Sequence, residues 1–326
     1  MKSSTAAATV ALLAVARCAT LATPPPQTPL EMRAPDLARP LTEFYPSVTQ
    51  PEDPVKKGVF DRINADRAAF GLPAVAWDES ASRVGDAFTA DQVREGTNGH
   101  YLTDGLPPYA RTGLAGVFGM GKENVVAWTT TGSTFHEPAL GMALEGQAAM
   151  LAEKPPNDGH RLTILDPDLT HVGVGWAQGG GQFRMSEEFT TRRLAELTLQ
   201  RVAKDPLTIL VSGRTVSGQG LRFVTLAEEP LPRRLTKAQA HARSRYAYPL
   251  PRLAFVPEGY KSMMVVGATT EDRIRLGNAG DFSFRFTPGL PGLWTLVFHT
   301  SDGKDRAKPG GLAVLLVERA DTAKAP

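Results

Sequence analysis

Six histidines occur in the chain, and two of them directly follow glycine, as Gly99-His100 and Gly159-His160. A loop histidine beside glycine suits ligand chemistry, because the backbone can approach a site closely and neutral imidazole is a good metal ligand. Singly, each is more commonly a surface or helix-capping group. His136 stands beside Glu137 at the expected start of a helix, and His171 opens a Val-Gly-Val-Gly strand; both read as structural or surface residues. Cys18 is the only cysteine, which excludes a disulfide scaffold, a Cys-ligated zinc or iron–sulfur site and a Cys-x-x-Cys redox centre. Neither Gly-x-Ser-x-Gly nor His-Glu-x-x-His is present, so the common hydrolase signatures are missing.

Whatever these residues do, a folded chain must position them. At roughly 150 residues per domain, 326 residues suggest two domains. The net charge of +2 gives no electrostatic preference for nucleic acid or anionic membrane. With 42% hydrophobic and 21% charged residues, there is ample material for a core. Residues 1–22 hold Lys2, an apolar run Ala6–Ala16 and the small-residue end Cys18-Ala19-Thr20-Leu21-Ala22, with no acid before Glu31. This is the pattern of a secretory signal peptide, too short to span a bilayer comfortably. Cys18 offers lipid anchoring as an alternative, ranked second because Arg17 stands where a small residue is usual. Residues 23–53 are rich in proline and read as an extended linker.

Val55, Val59 and Ile63 recur at i, i+4 and i+8, predicting a helix that ends before Gly71 and Pro73. Asp78 is a natural N-cap for a second helix carrying Ala81, Val84 and Phe88. A third is expected over 137–153, with Leu140, Leu144 and Leu151 on one stripe. Glycine- and proline-rich loops are expected at 96–121 and 154–160. Over 171–190 the period shifts to two around Gly179-Gly180-Gly181, the mark of a β-hairpin. Beyond Thr191, apolar alternation at Leu207-Ile209-Val211, Leu253-Phe255, Phe282-Phe284-Phe286 and Trp294-Leu296-Phe298, then an apolar run Leu312–Val317, predicts a β-sandwich. The basic stretch 228–250 reads as a solvated linker or crossover.

Several of these pieces fall in a telling order: Asn64-Ala65-Asp66-Arg67, Phe70-Gly71-Leu72-Pro73, Trp77-Asp78, Gly99-His100, Lys122-Glu123-Asn124, Gly159-His160-Arg161 and Thr170-His171-Val172-Gly173-Val174-Gly175. Together they resemble the CAP superfamily (cysteine-rich secretory proteins, antigen 5 and pathogenesis-related 1 proteins; the SCP-like domain), in particular its cysteine-poor bacterial secreted branch. The resemblance covers roughly 54–190. It implies an N-terminal α-β-α sandwich, here at 54–192; with the all-β sandwich accessory domain that the alternation predicts at 193–326, the chain is expected to be an α+β protein. The resemblance further implies a cleft lined by two His and two Glu. The histidines carry over to His100 and His160, and the first acid to Glu123, preceded by Lys122 where the family has glycine. Lys122 either weakens the local turn or gives Glu123 a cation. The second acid carries over to Glu153, with Glu145 in reserve.

Two neutral imidazoles can hold Zn²⁺ or a similar divalent metal, and two carboxylates can orient them or polarise a bound water. Two ligands are one short of the usual catalytic zinc site, and a purely hydrogen-bonded cleft explains the four residues equally well. The expected function is a secreted cleft that binds a lipid, peptide or glycan, with or without metal. The alternatives are a metal-dependent extracellular hydrolase using Glu123 or Glu153 as base, and a structural module that binds a cell-envelope component through the C-terminal domain.

Overall fold

The computed structural model describes residues 30–33, 49–204, 206–259, 273–304 and 306–319. The signal-peptide and Cys18 expectations lie outside them. No helix among the described residues is long and apolar enough to cross a membrane.

Helix α1 (Pro54–Ala69) starts where Asp53 accepts the backbone N–H groups of Val55 and Lys56 and Pro54 supplies its fixed φ. Strand β1 (Leu30–Arg33) precedes it in the chain, and β2 (Ala76–Trp77) follows. Helix α2 (Glu79–Glu95) is capped by Asp78, which accepts from Ala81 N at 2.9 Å, and it ends on Gly96 at φ +66°. After α3 (Pro108–Leu114) come β3 (Met120–Thr129), α4 (Ala139–Leu151), α5 (Gly159–Ile164) and the hairpin β4 (His171–Gly179) and β5 (Gln182–Thr191). Their sheet runs β2-β4-β5-β3, leaving β3 on an edge. Strand alternation sends Val172, Val174, Phe183, Met185 and Phe189 into a core shared with α1 and α4. Gly173 and Gly175 face the other way, against α2. A Cβ on Gly175 would fall on the backbone of Gly85 and Asp86, so helix and sheet meet backbone to backbone. The result is an α-β-α sandwich.

A second pair of sheets follows. One runs β1-β13-β12-β8-β9, the other β10-β11-β7-β6, where β6 is Leu194–Lys204, β7 Leu207–Thr215, β8 Gly220–Glu229, β9 Leu253–Phe255, β10 Arg275–Leu276, β11 Asp281–Phe286, β12 Gly292–Ser301 and β13 Lys308–Arg319. Ile209, Val211, Phe282, Phe284, Leu226, Leu296 and Leu315 fill the space between them, as the alternation requires.

Several expectations change. Four residues of the proline-rich linker, Leu30–Arg33, pair antiparallel with Arg319–Leu316, because β13 would otherwise present an unpaired edge. The expected loop at 96–121 contains α3, opened by Pro108. In α4 the buried stripe is Met142, Ala143, Gly146, Gln147 and Met150, with the three leucines only half-buried beside it. Burial of a close-approach glycine (Gly146, whose Cβ would meet Val126) sets that face. The basic stretch 228–250 is a crossover, between β8 and β9, with most of its residues exposed. It carries α6 (Lys237–Ala242), capped by Thr236, and then runs extended over the α/β unit, where Tyr246 and Tyr248 join a cluster with Tyr109, Leu293 and Val314.

Candidate functional site

The motif residues of the first helix serve as scaffold. Asn64 donates to Val75 O (3.1 Å) and accepts from Val75 N (2.8 Å), pinning the chain before β2. Arg67, fully buried, donates to Pro73 O, Ile164 O and Asp166 O, which holds the end of α5 against α1. Thus α5, with His160, is fixed by a residue nearly one hundred positions earlier. His160 lies in this helix rather than in a loop.

His100 follows Gly99, whose φ of +80° turns the chain inward. Its Nδ1 lies 2.8 Å from Glu123 Oε1, and both side chains are buried. Arg111 of α3 donates to the other oxygen, Glu123 Oε2, and its guanidinium covers the Phe88 ring at 3.6 Å. Glu123 lies opposite Glu188 in the β3–β5 register. Burial pushes both carboxyls up, Glu188 well above its usual range because the Glu123 charge adds to the effect; Arg111 opposes the rise at Glu123. Of the two, Glu123 is the one that Arg111 reaches, and Glu188 is the one pushed further towards its uncharged form. Burial brings the His100 imidazole down to about 4, with Arg111 adding to the drop, so it is neutral and donates Nδ1–H to Glu123.

Lys122 takes no part. One position along the strand its side chain turns away and pairs with Asp166 at 2.5 Å. Asn124 also turns to the other face, donating to Glu187 Oε2 (3.0 Å) and to His160 O (3.3 Å). Glu187 is fully buried, and burial raises it to about 8.

His160 pairs with Glu153, not Glu145. Its Nδ1 is 2.5 Å from Glu153 Oε1, and its backbone N–H donates to Glu153 Oε2 at 3.0 Å. Glu145 is exposed on α4. All four expected site residues are thus engaged, but as two His–Glu pairs: one buried on the α2 side of β3, the other partly exposed at the start of α5. Among the described residues no three His, Cys, Asp or Glu side chains are grouped to hold a metal ion. Each imidazole is held through its Nδ1 by its own glutamate, His100 by Glu123 and His160 by Glu153. His136 is exposed just before α4, and His171 begins β4 with burial holding it down to about 4.

Arg111, Glu187, Glu188 and Tyr246 were not foreseen. For the two acids a signal existed: adjacent carboxylates in a strand whose other residues include Phe183, Met185 and Phe189. Arg111 also lines a cavity of about 510 Å³ with Phe88, Leu102, Val84, Ala87 and Asp104, a size suited to a small ligand.

A profile of the cysteine-rich secretory protein family (CAP) matches residues 60–191. Among curated proteins nothing matches. Among solved structures, this chain is similar to an outer surface protein of Borrelia burgdorferi, at 15% identity over 44% of this chain and 96% of that one (TM-score 0.35). It is also similar to an extracellular protein containing an SCP domain from Bacillus anthracis, at 19% identity over 44% of this chain and 45% of that one (TM-score 0.33). A third is NaASP2 with Zn²⁺, at 10% identity over 44% of this chain and 83% of that one (TM-score 0.33). Residues 60–191 of this chain thus carry a CAP domain.

Proposed function

We propose that the chain is a secreted CAP protein that binds an extracellular ligand without turning it over, at the recess formed by His100, Arg111 and Glu123 and the cavity beside it. The observation that carries this reading is Arg111. Its guanidinium pairs with buried Glu123 on one side and on the other walls a 510 Å³ cavity lined by Val84, Ala87, Phe88 and Leu102 together with the charged Arg83, Asp91 and Asp104. Such a site offers apolar area from α2 and Leu102, with charged groups of both signs to orient a guest. Against the hydrolase alternative with Glu123 as base, that carboxyl is buried and held by His100 on one oxygen and Arg111 on the other.

Residues 1–22 support export, with lipid attachment through Cys18 as the second route to the same compartment. Residues 54–192 and 193–326 are the two folding units of this reading, the second offering its sandwich to a cell-envelope partner.

The test is a binding panel of lipids, extended peptides and glycans, run on the full chain beside His100→Ala and Arg111→Ala. A ligand bound by the wild type and lost in both variants supports the reading. A panel without binders, or binders that both variants keep, overturns it. Zn²⁺ titrated alone in the same series reports on the metal.

A further inference from the structure

The crossover between β8 and β9 is laid along the rim of the candidate site. At its start, Leu235 N donates to Thr103 O at 2.8 Å, beside the loop that carries His100. His241 Nε2 lies 3.2 Å from Gly96 O, and Arg243 stands over the Tyr101 ring at 5.3 Å. The chain then runs extended through Arg243–Leu250 and returns to its own sheet where Arg252 N donates to Leu226 O.

Within that stretch, Tyr246 and Tyr248 make matched contacts with β3. The Tyr246 hydroxyl accepts the Glu123 backbone N–H at 2.7 Å, and its ring meets His100 edge to face, centroids 5.0 Å apart. The Tyr248 hydroxyl accepts from Gly121 N at 3.1 Å and donates to Gly121 O at 2.6 Å, and its ring stacks on Tyr109 at 4.9 Å. Gly121 and Glu123 are alternate residues of an edge strand, so their N–H and C=O groups point away from β5. Unpaired groups of this kind are what an added peptide strand takes up. Here two side-chain hydroxyls, two residues apart on an extended segment, meet them instead. Ala247, between them, is exposed.

We propose that the outer edge of β3, together with the His100 recess, is a binding site for an extended peptide bearing aromatic residues at alternate positions, and that Tyr246-Ala247-Tyr248 occupies it in cis. A ligand in trans must displace the crossover, which holds the site closed. This rests on the binding reading above and names its ligand class. The segment is joined to the rest of the chain at both ends, so lifting it requires loss of the two tyrosine anchors, their packing on Tyr109 and the Arg243 contact with Tyr101, while the cores of the α/β unit and the β-sandwich stay intact.

The experiment uses the full chain and a fluorescein-labelled peptide with the sequence of Arg243–Leu250, followed by anisotropy. Tyr246→Ala/Tyr248→Ala should bind it at least about tenfold more tightly than the wild type, because the open state is no longer competed in cis. Diethylpyrocarbonate labelling of His100, read by mass spectrometry, should rise in parallel. Tyr246→Phe/Tyr248→Phe keeps the rings and removes the hydroxyls; it should gain less, and it stands in if the alanine variant misfolds. A peptide with both tyrosines changed to alanine should not bind. Equal affinity of wild type and variants overturns occupancy in cis. An exposed His100 without peptide binding overturns the ligand class; the binding reading then stands or falls on the panel above. A folded variant whose His100 stays protected and binds nothing overturns the proposal outright.

Discussion

Glu123 and Glu188 stand directly opposite one another across the β3–β5 ladder, two buried carboxyls of which only the first meets a cation, Arg111. Their neighbours share the job of keeping them there: His100 donates to Glu123, and Glu188 is pushed towards its uncharged form. Arg111→Ala leaves this pair with no counter-charge and should cost about 3–5 kcal/mol in urea unfolding. Adding Glu123→Gln to Arg111→Ala should recover most of that loss, because no buried charge then remains unpaired. A single-variant loss below about 1 kcal/mol, the range of exposed pairs, would show that Glu123 is already neutral.

Stability should pass through a maximum near pH 6.5. His100, His171 and His299 are each brought down to about 4 by burial, with a nearby arginine adding to the drop at the first two, so they resist charging and stability is lost as pH falls from 6.5 towards 4. Glu187 is pushed up to about 8 by burial and holds its proton more tightly folded than unfolded, so stability is lost as pH rises from 4.5 towards 8. Glu188 acts in the same direction. Above pH 6.5 only the acids still contribute. Thermal unfolding midpoints across pH 4–8 should therefore rise and then fall, and Glu187→Gln should flatten the fall. A curve that climbs steadily to pH 8 in the wild type would refute this.

Much of the scaffold could be read in advance, and the gaps have physical causes. The Asp78 cap, the Gly71 stop and the hairpin at Gly180-Gly181 are local signals, and each stands where local chemistry puts it. Strand β3 was missed because Gly121, Lys122, Glu123 and Asn124 interrupt the apolar alternation that marks strands; the residues that build the site erase the pattern. In β6, register shifts after Leu194 and Arg201 break the period of two. Strand β1 depends on a partner nearly three hundred residues away, and no window of sequence contains both. The two histidines and two glutamates were legible as four residues of one cleft, but their division into a His100–Glu123 and a His160–Glu153 pair follows from the fold alone.

The second pair separates two acids that the sequence left in competition. Glu153→Ala removes both contacts to His160, including the bond to its backbone N–H at the start of α5, and should cost about 1 kcal/mol, the worth of a lost cap. Glu145→Ala, on an exposed face, should change stability by less than about 0.5 kcal/mol. The reverse order in thermal denaturation would exchange their roles.

Zinc offers a separate check. Calorimetric titration of the full chain and of His100→Ala/His160→Ala should give indistinguishable traces, since no three His, Cys, Asp or Glu side chains among the described residues are grouped to hold a metal ion. One equivalent bound by the wild type alone would require the pairs to come together.

Helix α2 lies on the sheet with no side chain between them at Gly85 and Gly175, and with Ser82 donating to Val174 O at 2.7 Å. Interfaces made of interdigitated side chains can slide by changing rotamers; one made of main chain has no such slack. The floor and one wall of the recess thus behave as a single casting. Gly175→Ala should crack it, at about 3 kcal/mol or more. Whatever adjustment a guest demands must come from the parts laid on top: the loop around His100, α3 with its arginine, and the crossover that carries the two tyrosines.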